Sequence, residues 1–389
     1  MAINTKNAVP LQLQSTILHD VVITPERYGF FGAWCDGQPV PLAHRLRDGI
    51  QSRKQIPWTK PQKIVEEPCI WGGVLEGHYG HFIIESMQSL YAFQQNPDRK
   101  IIWSGSSTQL SPWQKYILEQ TGCMKNGFDV LDRPTLFRNM LFPVPGLLSN
   151  TWLMPEQAEA FAFYKTAPRK GRRVWLSRSD VDTDNRIFTN ERELEDTLKL
   201  RGWEIYAPEK HSLEHQLETI GSSEVVMGFI GSAFHTLYML TPFPTGNSPR
   251  FIVLDRMNGA RMAHSQLFYH IAKARTDNYF VWQPPKHPAP ALYRRKVHAG
   301  WPWFALEIET IVRELDARND FSGDMKGIPD MISINDVDCP NEISKPVLFD
   351  LSVKPTDRLY YQYRKVRKAL RPVKNMWVDF LQKICSRRK

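Results

Sequence analysis

His81 and Glu85 stand four residues apart where a helical stretch begins, a spacing that places an imidazole and a carboxylate on one face. One such group can take a proton while the other orients it. The same pair can simply fasten a helix start. His78, three residues before His81, invites a metal reading, but no clear third ligand follows and no metal site is expected. Further along, Gly228 and Gly231 bracket the end of an apolar run and Ser232 opens the next helix. Glycine lets backbone approach a ligand closely, and the free N–H groups of a helix start favour an anion. Arg178 and Arg186 flank the loop SRSDVDTDNR, where two guanidiniums suit a diphosphate unless Asp180, Asp182 and Asp184 neutralise them. Glu214 and Gln216 begin the helix before the glycine turn. Glu214 can hold ribose hydroxyls, or it is a carboxylate favoured by the helix dipole. Asn190 and Glu191 are weaker candidates, since they also read as an N-cap and first-turn acid.

The elements that must position these groups alternate. Short apolar runs at 174–176, 204–206 and 225–230 predict strands, each bounded by Pro, Gly or Asp. Between them Leu194 and Leu198 follow Asn190, and Leu213, Leu217 and Ile220 follow Ser212, in helical rhythm. Strand–helix alternation implies a parallel sheet with its ligands beyond the carboxyl ends of the strands. A similar unit precedes it: a strand to Val74, a helix from about His81 to Gln94, a strand at 101–103, a helix at 111–120 and a strand ending at Pro143. A helix at 155–164 leads to the linker 166–171, taken as a domain boundary. Strands at 251–254 and 279–282 extend the second sheet, and 301–318 reads as a helix.

Read in order, these residues resemble the family 61 glycosyltransferases, which include bacterial capsule and lipopolysaccharide enzymes. The carriers are Gly80-His81-Phe82-Ile83-Ile84-Glu85-Ser86, Arg186-Ile187 with Asn190-Glu191, Pro208-Glu209, Ser212-Leu213-Glu214 with Gln216, and Gly228 with Gly231-Ser232-Ala233. The resemblance spans about 80 to 240 and points to a bacterial capsule or lipopolysaccharide-type member. It implies an α/β, GT-B-like fold, with two Rossmann-like domains facing a cleft. It also implies a nucleotide-sugar donor, inversion at the anomeric carbon and no catalytic metal. An acid at position 85 in the family element favours Glu85 over His81 as the base. Many eukaryotic members carry His directly before the second glycine. That position is Ile230 here, and His235 is the substitute.

The domains expected are an acceptor-side unit at 1–168, a nucleotide-sugar-binding unit with a return helix at 169–318, an irregular segment at 319–353 and a basic tail at 354–389. With 389 residues, 42% of them hydrophobic, the chain can bury two cores. The formal net charge of +9 sits entirely in the tail, where 12 Lys or Arg face Asp357 and Asp379. Apolar residues there recur at three and four, so a helix carries one stripe, including Trp377 and Phe380, between basic residues such as Arg371 and Lys374. The stripe either docks on the protein itself or lies on an anionic membrane, the preferred reading. The aromatics do not interleave as a stacking platform, so no nucleic-acid partner is expected. The start lacks a signal-peptide profile, the five cysteines are scattered and no Asn-x-Ser/Thr acceptor occurs, which points to a bacterial enzyme on the inner face of the cytoplasmic membrane. The partners expected are a nucleotide sugar as cosubstrate and a glycan or lipid-linked glycan acceptor. No cofactor is expected, although the Asp180-Val181-Asp182 triplet is of a kind that holds Mg²⁺ or Mn²⁺ elsewhere. A catalytically inactive polysaccharide-binding scaffold is the alternative.

Overall fold

The computed structural model describes residues 8–10, 14–27, 30–43, 46–47, 50–51, 54–56, 58–105, 109–149, 151–181, 188–255, 263–288, 304–337 and 348–350. Arg186, Asp182, Asp184 and the whole tail with Arg371, Lys374, Trp377 and Phe380 lie outside them. Among the described residues no helix is long and apolar enough to cross a membrane.

Two parallel sheets organise the chain. In the first, β1 (Cys69–Leu75), β2 (Lys100–Gly105), β3 (Phe128–Leu131) and β4 (Met140–Phe142) lie in the spatial order β3-β2-β1-β4, with Thr16–Leu18 antiparallel at the edge. In the second, β5 (Arg173–Leu176), β6 (Glu204–Tyr206), β7 (Val225–Phe229), β8 (Arg250–Leu254) and β9 (Tyr279–Trp282) take the order β6-β5-β7-β8-β9. An antiparallel strand, β10 (Met331–Ser333), closes the far edge. Each order reverses beside its first strand: between β1 and β4, and between β5 and β7.

Alternation along the second sheet sorts its two faces. Val174, Leu176, Val226, Phe251 and Val253 point to one cluster, while Trp175, Met227, Ile252, Leu254 and Trp282 point to another. The second face is covered by helices Glu191–Leu200 and Ile308–Ala317 through Leu194, Leu198, Ile311 and Leu315. The first is covered by helix Leu213–Gly221, the 3-10 helix Ser232–Met239 and helix Ala263–Lys273. Phe82, Phe93 and Trp103 of the first half belong to the same cluster. Residues on both sides of the 166–171 linker therefore share one core. The first sheet has helices on one face only. Its other face packs on an antiparallel sheet built from Val21–Arg27, Phe30–Cys35 and Thr135–Phe137, through Val21, Ile23, Phe31, Trp71, Ile102 and Phe142.

Several elements differ from the sequence reading. The helix expected from His81 to Gln94 is broken: one turn, Tyr79–His81, opens into a π-helix, Phe82–Ser86, and regular helix resumes at Leu90–Gln95. The sheet takes the polar groups needed for continuation. The Ser86 hydroxyl donates to the Val74 carbonyl (2.7 Å) and the Trp103 indole donates to the Ser86 carbonyl (3.3 Å). The Gln88 carbonyl in turn accepts from the amides of Gly146 and Leu147. The helix begun at Pro155 stops at Ala160, because Tyr164 bridges to Leu240 instead. Within 301–318, Phe304–Leu306 is a strand paired with Lys286–Pro288, and the helix starts only at Ile308. That helix covers the second sheet through Ile311 and Leu315. Within the segment left without a role, Asp320 binds both Arg173 and Arg201, and Met331–Ser333 pairs with β9.

Candidate active site

A cleft of about 650 Å³ opens beyond the carboxyl ends of β5, β6 and β7, at the point where the second sheet reverses its order. That is where open parallel sheets bind ligands, and the volume lies in the range of small-molecule sites. The second half contributes Ser177, Arg178, Pro208, His211, Glu214 and Gly231. The opposite wall comes from the first half: His78 and Tyr79 after β1, and Pro112, Trp113 and Tyr116 after β2.

Local sequence explains the second wall. Ser111 caps helix Pro112–Gln120 in a reciprocal box with Gln114, and proline opens the first turn. The helix follows β2, so its first turn faces the carboxyl end of the first sheet. Trp113 stands edge-on to Tyr79 and Phe82, with ring centroids 5.3 and 5.2 Å away, which fixes its orientation.

The phosphate candidates divide. Gly231, Ser232 and Arg178 line the cleft together, and a Cβ on Gly231 would lie 3.0 Å from Arg178 Nη1. The guanidinium is therefore laid along the backbone of the turn. It also donates to the Ile230 carbonyl at 3.4 Å. Ser232–Met239 is a 3-10 helix rather than the α-helix expected. Its first amides still lack intrahelical acceptors, as in any helix start. Glu191 and Asn190 stand behind the cleft in supporting positions. The buried Glu191 carboxylate accepts from the Arg178 amide (3.0 Å), and the Asn190 amide group exchanges two hydrogen bonds with the Leu306 backbone (3.0 and 2.8 Å). Asn190 makes no side-chain cap bond; Ser212 does, accepting from the His215 amide at 3.3 Å. Glu214 lines the cleft near Tyr116 and Tyr164, and both hydroxyls are pushed up, mainly by desolvation, with the Glu214 charge adding at Tyr116 and the Glu218 and then Glu214 charges adding at Tyr164. Gln216 spends its amide on the carbonyls of Pro208 and His211 (2.8 and 3.2 Å), shaping the loop under the cleft.

Asp180 is held by Arg192 (2.8 Å) and by Lys210, and these cations, Lys210 first, keep its carboxyl below the usual range. Its oxygens are thereby committed to two positive charges, a poor setting for a metal ligand. Among the described residues no cluster of three His, Cys, Asp or Glu has metal-binding form.

The base candidates follow Gly80, which adjoins the turn at Ser232. His81 Nδ1 is 2.7 Å from Glu85 Oε1, on the π-helical turn directly after the cleft residues His78 and Tyr79. The two differ in access: the His81 side chain is 38% exposed and that of Glu85 only 3%. Gly80 explains the contact between halves, since a Cβ there would lie 2.9 Å from Ser232 Cβ and 3.0 Å from His235 Cδ2. Only glycine permits that approach. Beside it Tyr79 and Thr236 share a hydroxyl hydrogen bond of 2.8 Å.

His235 is not on the cleft wall. It is buried behind Gly80 and stacked on Phe268 (4.8 Å, 9°). Burial above all, then the nearby His81 and His78, pulls its pKa down to about 3, so the ring is neutral in the folded protein. The unfolded chain regains the ordinary value of about 6.5 and binds a proton more readily. Stability from this group is thus full above about pH 6.5 and declines as pH falls toward 3. Between pH 7 and pH 5 the loss is about 2 kcal/mol. His235→Gln is expected to remove that component, flattening the fall in urea-unfolding free energy by about this amount. Equal slopes in variant and wild type would contradict it.

The sequence reading missed Tyr79, Trp113, Tyr116 and His211 as cleft residues. The signal present was topological: Pro112–Gln120 follows a parallel strand, so its first turn must face the ligand side.

Residues 79–246 match the family model described as Glycosyltransferase 61. The match begins at the turn carrying Gly80, His81 and Glu85 and extends past the Gly231 turn, so it takes in both walls of the cleft. It supports a glycosyltransferase role. No curated protein matches the chain.

Proposed function

We propose that the protein is a glycosyltransferase that moves a sugar, with inversion and without a catalytic metal, from a nucleotide-sugar donor to a glycan or lipid-linked glycan. Bacterial surface polysaccharide synthesis is the setting that the capsule-type resemblance favours. The observation carrying the reading is the junction at Gly80, which sets the residue before His81 against Ser232, a lining residue of the cleft shared by both halves, with the His81–Glu85 pair on the turn that follows.

The chemistry follows from what each group can do. The acceptor hydroxyl gives up its proton, its oxygen attacks the anomeric carbon, and the bond from that carbon to the phosphate oxygen breaks on the opposite side. His81 is the more accessible of the pair, and with Nδ1 donating to Glu85 the lone pair lies on Nε2. The reading therefore assigns the proton to His81 Nε2. The 3%-exposed Glu85 orients the ring and stabilises the imidazolium, reversing the preference drawn from the family element. Negative charge collecting on the departing diphosphate meets the Arg178 guanidinium and the amides at Gly231 and Ser232.

A thermal-shift screen with nucleotide sugars, followed by a transfer assay on the donor that binds, tests the proposal. A donor at 100 times its dissociation constant adds about 2.7 kcal/mol. Arg178→Ala is expected to weaken the free nucleoside diphosphate by about 2 to 4 kcal/mol, with Lys restoring only part because it lacks the planar fork. A protein that binds no nucleotide sugar, or binds one without transferring or hydrolysing it, would instead be the inactive scaffold.

A further inference from the structure

The loop after β6 carries an aromatic arrangement that the transfer chemistry does not use. Tyr206, at the end of β6, His211 and His215 lie with their rings nearly parallel. Centroids are 4.6 Å apart for Tyr206–His211 and for His211–His215, with 14° between planes, and 5.6 Å apart for Tyr206–His215 at 16°. Tyr206 is buried in the core, and its hydroxyl shares a hydrogen bond of 2.9 Å with His215 Nδ1, which orients the outer imidazole. His211 is exposed and lines the cleft.

Its backbone is fixed from both sides. The His211 amide donates to the Pro208 carbonyl (3.1 Å), and the Gln216 side chain donates to the carbonyls of both Pro208 and His211. A rigid π-surface at a cleft wall is what a flat heteroaromatic ring needs, since the cost of ordering the platform has already been met.

Position selects which part of the ligand lies there. The strand order is β6-β5-β7, so the His211 loop and the Gly231 turn are separated by two strand spacings, about 10 Å. A diphosphate over Gly231 and Arg178 leads its ribose toward Glu214 and its base toward His211.

We infer that His211, supported by Tyr206 and His215, is the nucleobase platform of the cleft and a specificity-determining residue for a nucleoside diphosphate group. The inference rests on the donor-site reading above.

The test compares wild type, His211→Ala and His211→Phe for binding of uridine, guanosine and cytidine diphosphates and of inorganic pyrophosphate. For the nucleotide that wild type prefers, Ala is expected to weaken binding about 5- to 100-fold while pyrophosphate stays within about twofold, and Phe is expected to keep most of the affinity. Arg178→Ala weakens both probes. The platform is overturned if His211→Ala leaves the nucleotide unaffected, if it weakens pyrophosphate equally, or if Phe behaves as Ala does. In each of those cases nucleotide binding by wild type leaves the donor site standing. If wild type binds no nucleotide, the donor-site reading falls and the platform falls with it.

Discussion

His81→Ala lowers kcat by about 10²- to 10⁴-fold, while nucleoside diphosphate affinity stays within about twofold of wild type. This expectation comes from the division of labour in the pair. His81 is accessible and Glu85 is buried at 3%, 2.7 Å from its Nδ1. Glu85→Gln should fall nearly as far, for a different reason. The amide can donate to Nδ1, which favours the tautomer with its proton on Nε2, and it carries no charge to steady the imidazolium. Residues acting as one unit are not additive, so the double variant should be little worse than either single one. Should His81→Ala retain more than a tenth of the activity while Glu85→Gln abolishes it, Glu85 would itself be the base. Loss of nucleotide affinity in either variant would place the pair in binding instead.

Arg275→Ala is expected to cost about 3 to 5 kcal/mol of folding stability, read from denaturant unfolding. Arg275 is 2% exposed, and its described acceptors are all carbonyls. Nε and Nη2 donate to the Tyr238 carbonyl (3.0 and 2.8 Å), Nη2 also to Ala158, and Nη1 to Ala274 (3.0 Å). Tyr238 lies in the last turn of the 3-10 helix Ser232–Met239 of the second half, and Ala158 lies in helix Pro155–Ala160 of the first. One cation therefore serves carbonyls near two helix ends, a favourable placement for positive charge, and joins the two halves of the chain. Burial pulls its pKa down to about 10, which leaves it charged at neutral pH. Truncation strands the carbonyls away from water. Lysine keeps the charge but cannot reach all three acceptors, so it should recover part of the loss. A change below about 1 kcal/mol would mean that the carbonyls find other donors.

The local patterns were readable because they are local. Apolar runs bounded by Pro, Gly and Asp located β5, β6 and β7 to within a residue, most clearly for β5 and β7, since a parallel strand buried on both faces is apolar along most of its length. Ser212 was recognisable as an N-cap because its side chain bonds its own helix, three residues on. That Gly231, Ser232, Arg178 and Glu214 would share one cleft could also be read, because a parallel sheet gathers its loops at one end and the second unit's connectivity told which loops those were.

What remained hidden depended on partners distant in the chain. Asn190 looked like a cap and instead grips Leu306, and the helix after His81 broke because Trp103 and Gly146 draw off its carbonyl bonds. Nothing in a local window records such bonds. Gly80 is the sharpest case. Its residue type could be read, but its reason, a close approach to Ser232 and His235, exists only once two sheets share a core. The sequence by itself determined the strand and helix rhythm, the glycine turn and the His81–Glu85 spacing, because backbone periodicity and i,i+4 geometry need no distant partner. Only the tertiary structure decided which of the pair is accessible, which wall Trp113 and Tyr116 form and where His211 stands. Burial and cleft position arise from the packing of one half against the other, and that packing is set by contacts spread across the whole chain.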